Sequence, residues 1–499
     1  MRFITVACAL ACAALLLAAC GSGGGSTATT ASTAGALAPV PTTFAAQQGR
    51  PFAQPPVLRA RNGVLRTTFT VAPTTFTVAG VAVKGQSYAG KFLGPTLRVR
   101  GGDVIEIHLR NQLGQETNFH THGLHTSPIG ISDNVLRVMK PSSDSAIRIK
   151  VPRDIAPGTY WYHAHLHGLT EEQVFSGLAG VLVVDGLTER LPADLQGIPD
   201  RVIALKDLQV KNGAIVTENI DSNAPTTRTV NGLVDPVIRA APGQTQLLRL
   251  GNLSADIWYR LKLDGARFHV LAEDANPVGR VWTAGQLVLP PGKRFDVLVR
   301  WPKAGTYRLH TLKYSTGKTG DSYPARVLAT VQVAGPPVPP VALPTSMGPM
   351  PDLQGDPVAS RRKVVFSENT KTGAFYINGS QFNMDRVTEY VKLGTTEEWT
   401  ISNTSSEQHP FHIHVNDFQV MSVNGRPYRA RSLEDVVPLP PHGVVVIRMR
   451  FLDYLGKYVF HCHILAHEDA GMMAIVDVTR DGKAPPSGSA ADTAAPMGM

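Results

Sequence analysis

Apolar residues recur at every second position in many short stretches of this chain. In Val104-Ile105-Glu106-Ile107-His108-Leu109-Arg110, the residues Ile105, Ile107 and Leu109 share one face, as a half-buried strand requires. The runs Phe295 to Val299 and Val444 to Phe451 are alternating or apolar in the same manner. No sustained 3.6-residue period is seen, so helices are expected to be few. Two markers travel with the strands. Gly158-Thr159-Tyr160-Trp161-Tyr162-His163 returns as Gly305-Thr306-Tyr307-Arg308-Leu309-His310 and as Gly456-Lys457-Tyr458-Val459-Phe460-His461, at offsets of 147 and 151 residues. Strand-like runs also end in asparagine at Asn111, Asn252 and Asn403, offset by 141 and 151 residues. Two markers at one interval predict an all-β chain of three tandem sandwich domains, each of about 150 residues.

Length agrees, because 499 residues exceed what one hydrophobic core organises. Composition sets the boundaries. Residues 1–20 read as a leader, 21–54 as a flexible tether and N-terminal arm, 55–188 as domain one and 189–335 as domain two. A Pro/Gly-rich linker, 336–356, precedes domain three at 357–480, and 481–499 is expected to be a disordered tail. Arg2, the apolar run Phe3 to Ala19 and the end Leu17-Ala18-Ala19-Cys20-Gly21 resemble a bacterial lipoprotein signal. That resemblance implies cleavage before Cys20, a lipid on Cys20 holding the chain to a membrane, and export to the bacterial cell envelope as a periplasmic or surface lipoprotein. An ordinary secretory signal with a chance cysteine is the alternative. The formal net charge of +9 comes from scattered lysines and arginines, with no aromatic-interleaved basic patch, so no nucleic acid is expected as partner.

Candidate chemistry changes the picture most. Ten of the 16 histidines fall in four clusters: His120-Thr121-His122-Gly123, His163-Ala164-His165, His409-Pro410-Phe411-His412-Ile413-His414, and His461-Cys462-His463 with His467 and Met472 beyond. Residues two apart on a strand point to one side, so each His-x-His pair can present two imidazoles to one interface. The first two clusters lie in domain one and the last two in domain three. A site shared between those domains would close the molecule on itself. Cys462 points away from His461 and His463 and would join sites on opposite faces of its strand. Cys8, Cys12 and Cys20 lie in the leader region, so Cys462 is alone in the folded body and no intradomain disulfide can form. His409, Cys462, His467 and Met472 form a two-imidazole, thiolate and thioether set, as expected of a blue-copper centre. Zinc also accepts His and Cys, but does not require ten histidines around one thiolate.

The third and fourth clusters, HPFHIH and HCHILAHEDAGMM, resemble those of the three-domain multicopper oxidases, especially bacterial laccases of the spore-coat and copper-efflux types. The resemblance covers roughly 55 to 480 and implies three tandem cupredoxin-like Greek-key β-sandwiches. It further implies four copper ions per chain: one type 1, one type 2 and two type 3. His409, Cys462 and His467 would hold the type 1 ion, with Met472 axial. His120 and His412 would hold type 2; His122, His163 and His463 one type 3 ion; His165, His414 and His461 the other. Domain two would carry no copper and act as a spacer, leaving His310 a structural residue. Proton carriers near the cluster would be Glu468 and Asp133, with Asp469 a further candidate.

The implied activity is oxidation of a small donor coupled to four-electron reduction of dioxygen to water, with a monomer sufficient. Phenols and aromatic amines are the expected donors, as in a laccase. Copper(I) is the alternative, as in a detoxifying metallo-oxidase. Copper-efflux enzymes carry a methionine-rich insert, whereas this chain has 11 methionines and no rich run in domain three. A non-catalytic copper-binding or storage protein is the alternative of another class; it would not need all eight cluster histidines. His125 and His167 lie near the clusters but are not expected to be ligands.

Overall fold

The computed structural model describes residues 43–45 and 49–485. The expectations for the leader, the lipid on Cys20, most of the tether and the end of the tail fall outside these residues. Six large sheets pair into three sandwiches, and helices are confined to short segments such as Thr170–Ser176 and Leu465–Asp469. The fold is the expected all-β one.

The alternation is expressed directly. Ile105, Ile107 and Leu109 are buried in the strand Val104–Asn111. Val445, Ile447, Met449 and Phe451 are buried in Val444–Phe451. Burying one such aliphatic or aromatic side chain is worth about 1.5–3 kcal/mol, so these faces drive the sheets together. The strand Arg294–Arg300 is covered on both faces, and its buried Asp296 accepts hydrogen bonds from the Thr159 N–H (3.0 Å) and hydroxyl (2.5 Å) of the first sandwich.

Both repeat markers have physical causes. The strands Gly158–His163, Gly305–Thr311 and Gly456–Cys462 occupy matching places within their sheets, and Tyr160, Tyr307 and Tyr458 are buried. The hydroxyls of Tyr160 and Tyr307 each donate to a carbonyl four residues upstream, Ala156 at 2.8 Å and Lys303 at 2.9 Å. The asparagines are buried turn-formers. In each, Oδ1 accepts the N–H two residues on: Leu113, Ser254 and Ser405, all at 3.0 Å. Each Nδ2 donates to nearby and distant carbonyls, as Asn252 does to Ile257 (2.7 Å) and Leu289 (2.9 Å). One side chain thereby ties a strand end to the loop that follows it and to another strand.

The sandwiches are interleaved. The hairpin Val210–Lys211 and Ala214–Ile215 extends the sheet that contains Val81–Ser87 of the first sandwich. In the segment between the second and third sandwiches, Met347 is buried in the second core and the Leu353 N–H donates to Gln419 Oε1 at 2.5 Å. Met347 is therefore a packing residue.

Candidate metal centre

Two strands from the first sandwich and two from the third carry the histidines. His120–His122 pairs antiparallel with Gly158–His163, setting His120 opposite His163. His409–Ile413 pairs with Gly456–Cys462, setting His412 opposite His461 and Phe411 opposite Cys462. The two sandwiches meet ring to ring: His120 stacks on His414 (4.0 Å, 6°) and His122 on His412 (3.9 Å, 12°). His120, His122, His163, His412, His414 and His461, together with His165 and His463, are all buried.

The donor atoms converge in groups. The Nε2 atoms of His165, His414 and His461 lie 3.1, 3.2 and 3.4 Å from one another. A metal–imidazole bond of about 2.0–2.1 Å places ligand nitrogens roughly 3.3–3.6 Å apart, so the spacing suits one ion. His122, His163 and His463 form a second group, with His122 Nδ1 3.1 Å from His463 Nε2. The Nε2 atoms of His120, His163 and His412 are buried with no hydrogen-bond partner, a costly condition that metal coordination would relieve. Burial holds His122, His163, His412, His414 and His463 well below the usual imidazole range, and neighbouring imidazoles add to it. Neutral imidazole is the form that binds a metal.

On the other face of the strand, Cys462 Sγ lies 3.6 Å from His409 Nδ1 and 3.7 Å from His467 Nδ1, and the two nitrogens are 3.2 Å apart. Met472 is buried in the same core, its N–H donating to the His467 carbonyl (2.9 Å) and its carbonyl accepting the Cys462 N–H (3.0 Å). Burial pushes the Cys462 thiol well above its usual range, so a bound cation is what would hold it as thiolate. His409 is fully buried and its Nε2 lies 2.7 Å from Ser405 Oγ. The His467 side chain keeps 11% exposure and borders a cleft of about 240 Å³, shared with Phe375, Glu407, Glu368 and Asp321. Phe375 stacks on His467 at 4.0 Å.

Two acids lie against the histidine cluster. Asp133 Oδ1 lies 3.0 Å from His120 Nδ1, and Oδ2 accepts the Thr121 N–H at 3.0 Å. Glu468 is fully buried: Oε2 lies 3.0 Å from His461 Nδ1, and Oε1 lies 3.3 Å from His165 Nδ1 and accepts the Thr170 hydroxyl at 3.1 Å. Burial pushes the Glu468 carboxyl up, but the His165 and His461 imidazoles outweigh it and hold the group low. Asp469 instead accepts the N–H groups of Gly168 (2.7 Å) and Glu171 (2.8 Å), anchoring the start of the helix Thr170–Ser176. His125 joins Asp453 at 2.9 Å, His167 packs at a tilt against Phe382 (4.6 Å, 58°), and His310 meets Asp264 at 2.7 Å; none belongs to the histidine groups described above.

Sequence reasoning missed the contribution of the second sandwich. Its Arg294 grips Asp435 of the third with two hydrogen bonds, 2.6 and 2.7 Å. Asp435 Oδ1 lies 3.2 Å from His122 Nε2, and the Asp435 carbonyl accepts from His412 Nδ1 at 2.7 Å. Arg294 and Asp435 are 141 residues apart, and a lone acid and base at that distance give no pairing signal. The only trace is the glycine after the first pair: Gly123 has φ +85°, and a Cβ there would lie 2.5 Å from both Arg294 Nη2 and Asp435 Oδ2.

Fold and site together define a three-sandwich protein built to bind redox metal ions between its first and third domains and beside Cys462. Multicopper oxidase models match residues 70–189, 199–335 and 356–482. Multicopper oxidase mco of Staphylococcus epidermidis is 30% identical over 403 residues, 79% of this chain and 83% of the relative. Cell division protein FtsP of Escherichia coli is 29% identical over 396 residues, 76% of this chain and 82% of the relative. Among solved structures, a multicopper oxidase from Campylobacter jejuni described as a metallo-oxidase has a TM-score of 0.75 at 26% identity, covering 87% of this chain and 96% of that one. A laccase from Pediococcus acidilactici has a TM-score of 0.77 at 25% identity, with 88% and 95% covered. The chain belongs to the multicopper oxidase family and is a copper oxidoreductase by kinship. Among the described residues, no helix is long and apolar enough to cross a membrane.

Proposed function

We propose that this protein is a laccase-type oxidase that takes electrons from phenols or aromatic amines and reduces dioxygen to water. The observation that carries the donor class is the cleft at His467. Its lining offers an aromatic face, Phe375, and the carboxyl groups of Glu407, Glu368 and Asp321, but no methionine. Carboxylates accept hydrogen bonds from phenolic O–H and anilinic N–H groups and can take the proton released on oxidation. Copper(I) is a soft ion that prefers thioether donors.

Four copper ions fit the donor sets, held as the resemblance implies. His409, Cys462 and His467, with Met472 beside them, would hold one. His120 and His412 would hold a second, His122, His163 and His463 a third, and His165, His414 and His461 the fourth. Bound copper supplies one-electron transfer and the storage of four electrons for dioxygen. The chain supplies the rest. His467 gives electrons a short entry from the cleft. Cys462 is covalently continuous with His461 and His463, so its backbone and side chain form the route inward. Burial of the eight cluster histidines excludes bulk water. Glu468 carries protons at Oε1 and Oε2, next to His165 and His461, and Asp133 carries them beside His120. The export leader and the lipid on Cys20 remain part of the reading, and a monomer suffices because one chain holds every ligand.

The test compares dioxygen uptake by copper-loaded protein with a phenolic donor and with copper(I), spontaneous oxidation subtracted. Faster uptake with the phenol supports the reading. Faster uptake with copper(I) replaces it with a metallo-oxidase, and no uptake with either points to a non-catalytic copper protein.

A further inference from the structure

The second sandwich holds no histidine cluster, yet it reaches the histidine site. Its turn Gly292-Lys293-Arg294 sits against the third sandwich. Gly292 has φ +85°, and a Cβ there would lie 3.1 Å from His122 Cε1 and from His463 Nε2. The Lys293 ammonium lies 2.9 Å from Asp274 and 2.6 Å from Glu434. Arg294 is buried and donates to the Thr159 carbonyl of the first sandwich (3.0 Å) while gripping Asp435 of the third. One guanidinium thus touches all three sandwiches.

The imidazoles differ in which nitrogen faces the cluster. His120, His163 and His412 anchor Nδ1 on Asp133, the Ala164 carbonyl and the Asp435 carbonyl, and leave Nε2 inward. His461 anchors Nδ1 on the Cys462 carbonyl at 2.9 Å and shares the Nε2 triangle with His165 and His414. His122 is reversed. Its Nε2 meets Asp435 Oδ1, and its Nδ1 faces His463. A neutral imidazole carries one N–H, and the partner of one nitrogen decides whether the other is free to bind a metal. Both Asp435 oxygens accept from Arg294, which fixes the carboxyl group in place, and Oδ1 lies against His122 Nε2, so Nδ1 is the nitrogen left facing His463.

We infer that Arg294 and Asp435 are positioning residues. Arg294 orients the Asp435 carboxyl group, which holds the His122 ring at Nε2 and keeps Nδ1 turned toward the ion shared with His163 and His463. Docking of the second sandwich is thereby coupled to completion of one copper site. The inference rests on the copper assignment above, but not on the identity of the donor.

The test is Arg294→Met combined with Asp435→Leu, which removes both charges together and strands neither. Copper per chain, affinity by chelator competition, and paramagnetic resonance are read on wild type and variant. Visible absorption of the Cys462 centre serves as the internal control of folding. The expected result is a copper affinity about 10- to 100-fold weaker at one of the histidine sites, with the Cys462 absorption intact. Lys293→Met combined with Glu434→Leu cuts one ion pair of the neighbouring cluster, in which Lys293 also meets Glu273 and Asp274, without touching a histidine, and full copper loading is expected. Unchanged affinity and resonance in the first variant would overturn the inference, as would equal copper loss in the second. Failure of the wild type itself to bind copper at the histidine groups would instead remove the copper assignment.

Discussion

At the scale of single residues, the site depends on side chains given two tasks. Cys462 is a core residue and, in the proposed assignment, a ligand at once, flanked by histidines that face the opposite way. Met472 shares that core, so Met472→Leu conserves volume and is expected to cost less than about 1.5 kcal/mol. It would remove a weak sulfur donor from the proposed centre, and the lower coordination number destabilises copper(II) more than copper(I). We predict retained copper and a raised potential of the Cys462 centre in a redox titration; an unchanged potential would show that the sulfur is no ligand. Glu468 gives a sharper separation. Glu468→Gln keeps the shape and one acceptor oxygen but cannot carry a proton. Oxygen consumption is expected to fall about 10²- to 10⁴-fold, while anaerobic bleaching of the Cys462 centre by donor keeps its rate. Slowed bleaching would place Glu468 on the electron path instead.

At the scale of elements, the strand-end asparagines account for the legibility of the fold. Asn252 lies in the second sandwich and is fully buried, with two donated bonds and one accepted. Asn252→Ala leaves two carbonyls and one N–H without these partners, so a loss of about 2–4 kcal/mol is expected in urea unfolding. A loss below about 0.5 kcal/mol, within the range of ordinary surface substitutions, would demote the asparagine to an accident of sequence. Because each asparagine does the same local work, it recurs at the domain period and could be seen without a structure. The paired histidines were legible for a similar reason, since period two on a strand is a local rule. The Arg294–Asp435 clamp was not, because its partners belong to different sandwiches and only the packing of the sandwiches brings them together. The ends of elements were equally silent: nothing local announces that Asp469 anchors a helix of the first sandwich.

At the scale of the whole molecule, the seams between sandwiches are unusually polar, and this gives stability a pH dependence with two opposed parts. His122, His163, His412, His414, His463 and His467 have lowered folded-state pKa values, as do His165 and His409, these two to about 3. Without metal, that contribution is present above the unfolded value of about 6.5 and is lost as pH falls toward 3. Asp256 acts in the other direction. It is buried where its Oδ1 accepts the Ala466 N–H at 3.1 Å. Burial raises its carboxyl to about 7, with Asp207 and Asp321 adding to the shift and the Ala466 N–H opposing it. Its neutral form is therefore the one the fold prefers. That stabilisation is complete below about pH 4, the unfolded value, and is lost as pH rises through 7. Asp256→Asn mimics the neutral form and removes this slope, together with the part of the Glu171 shift that its hydrogen bond with Asp256 causes. Between pH 5 and pH 8 the variant is expected to gain about 2 kcal/mol on the wild type, read as the difference between their urea unfolding free energies with copper removed. Taking the difference cancels the histidine part, which both proteins share. Parallel profiles would mean that Asp256 is ionised in the folded protein, and that the seam between the second and third sandwiches tolerates a buried charge there.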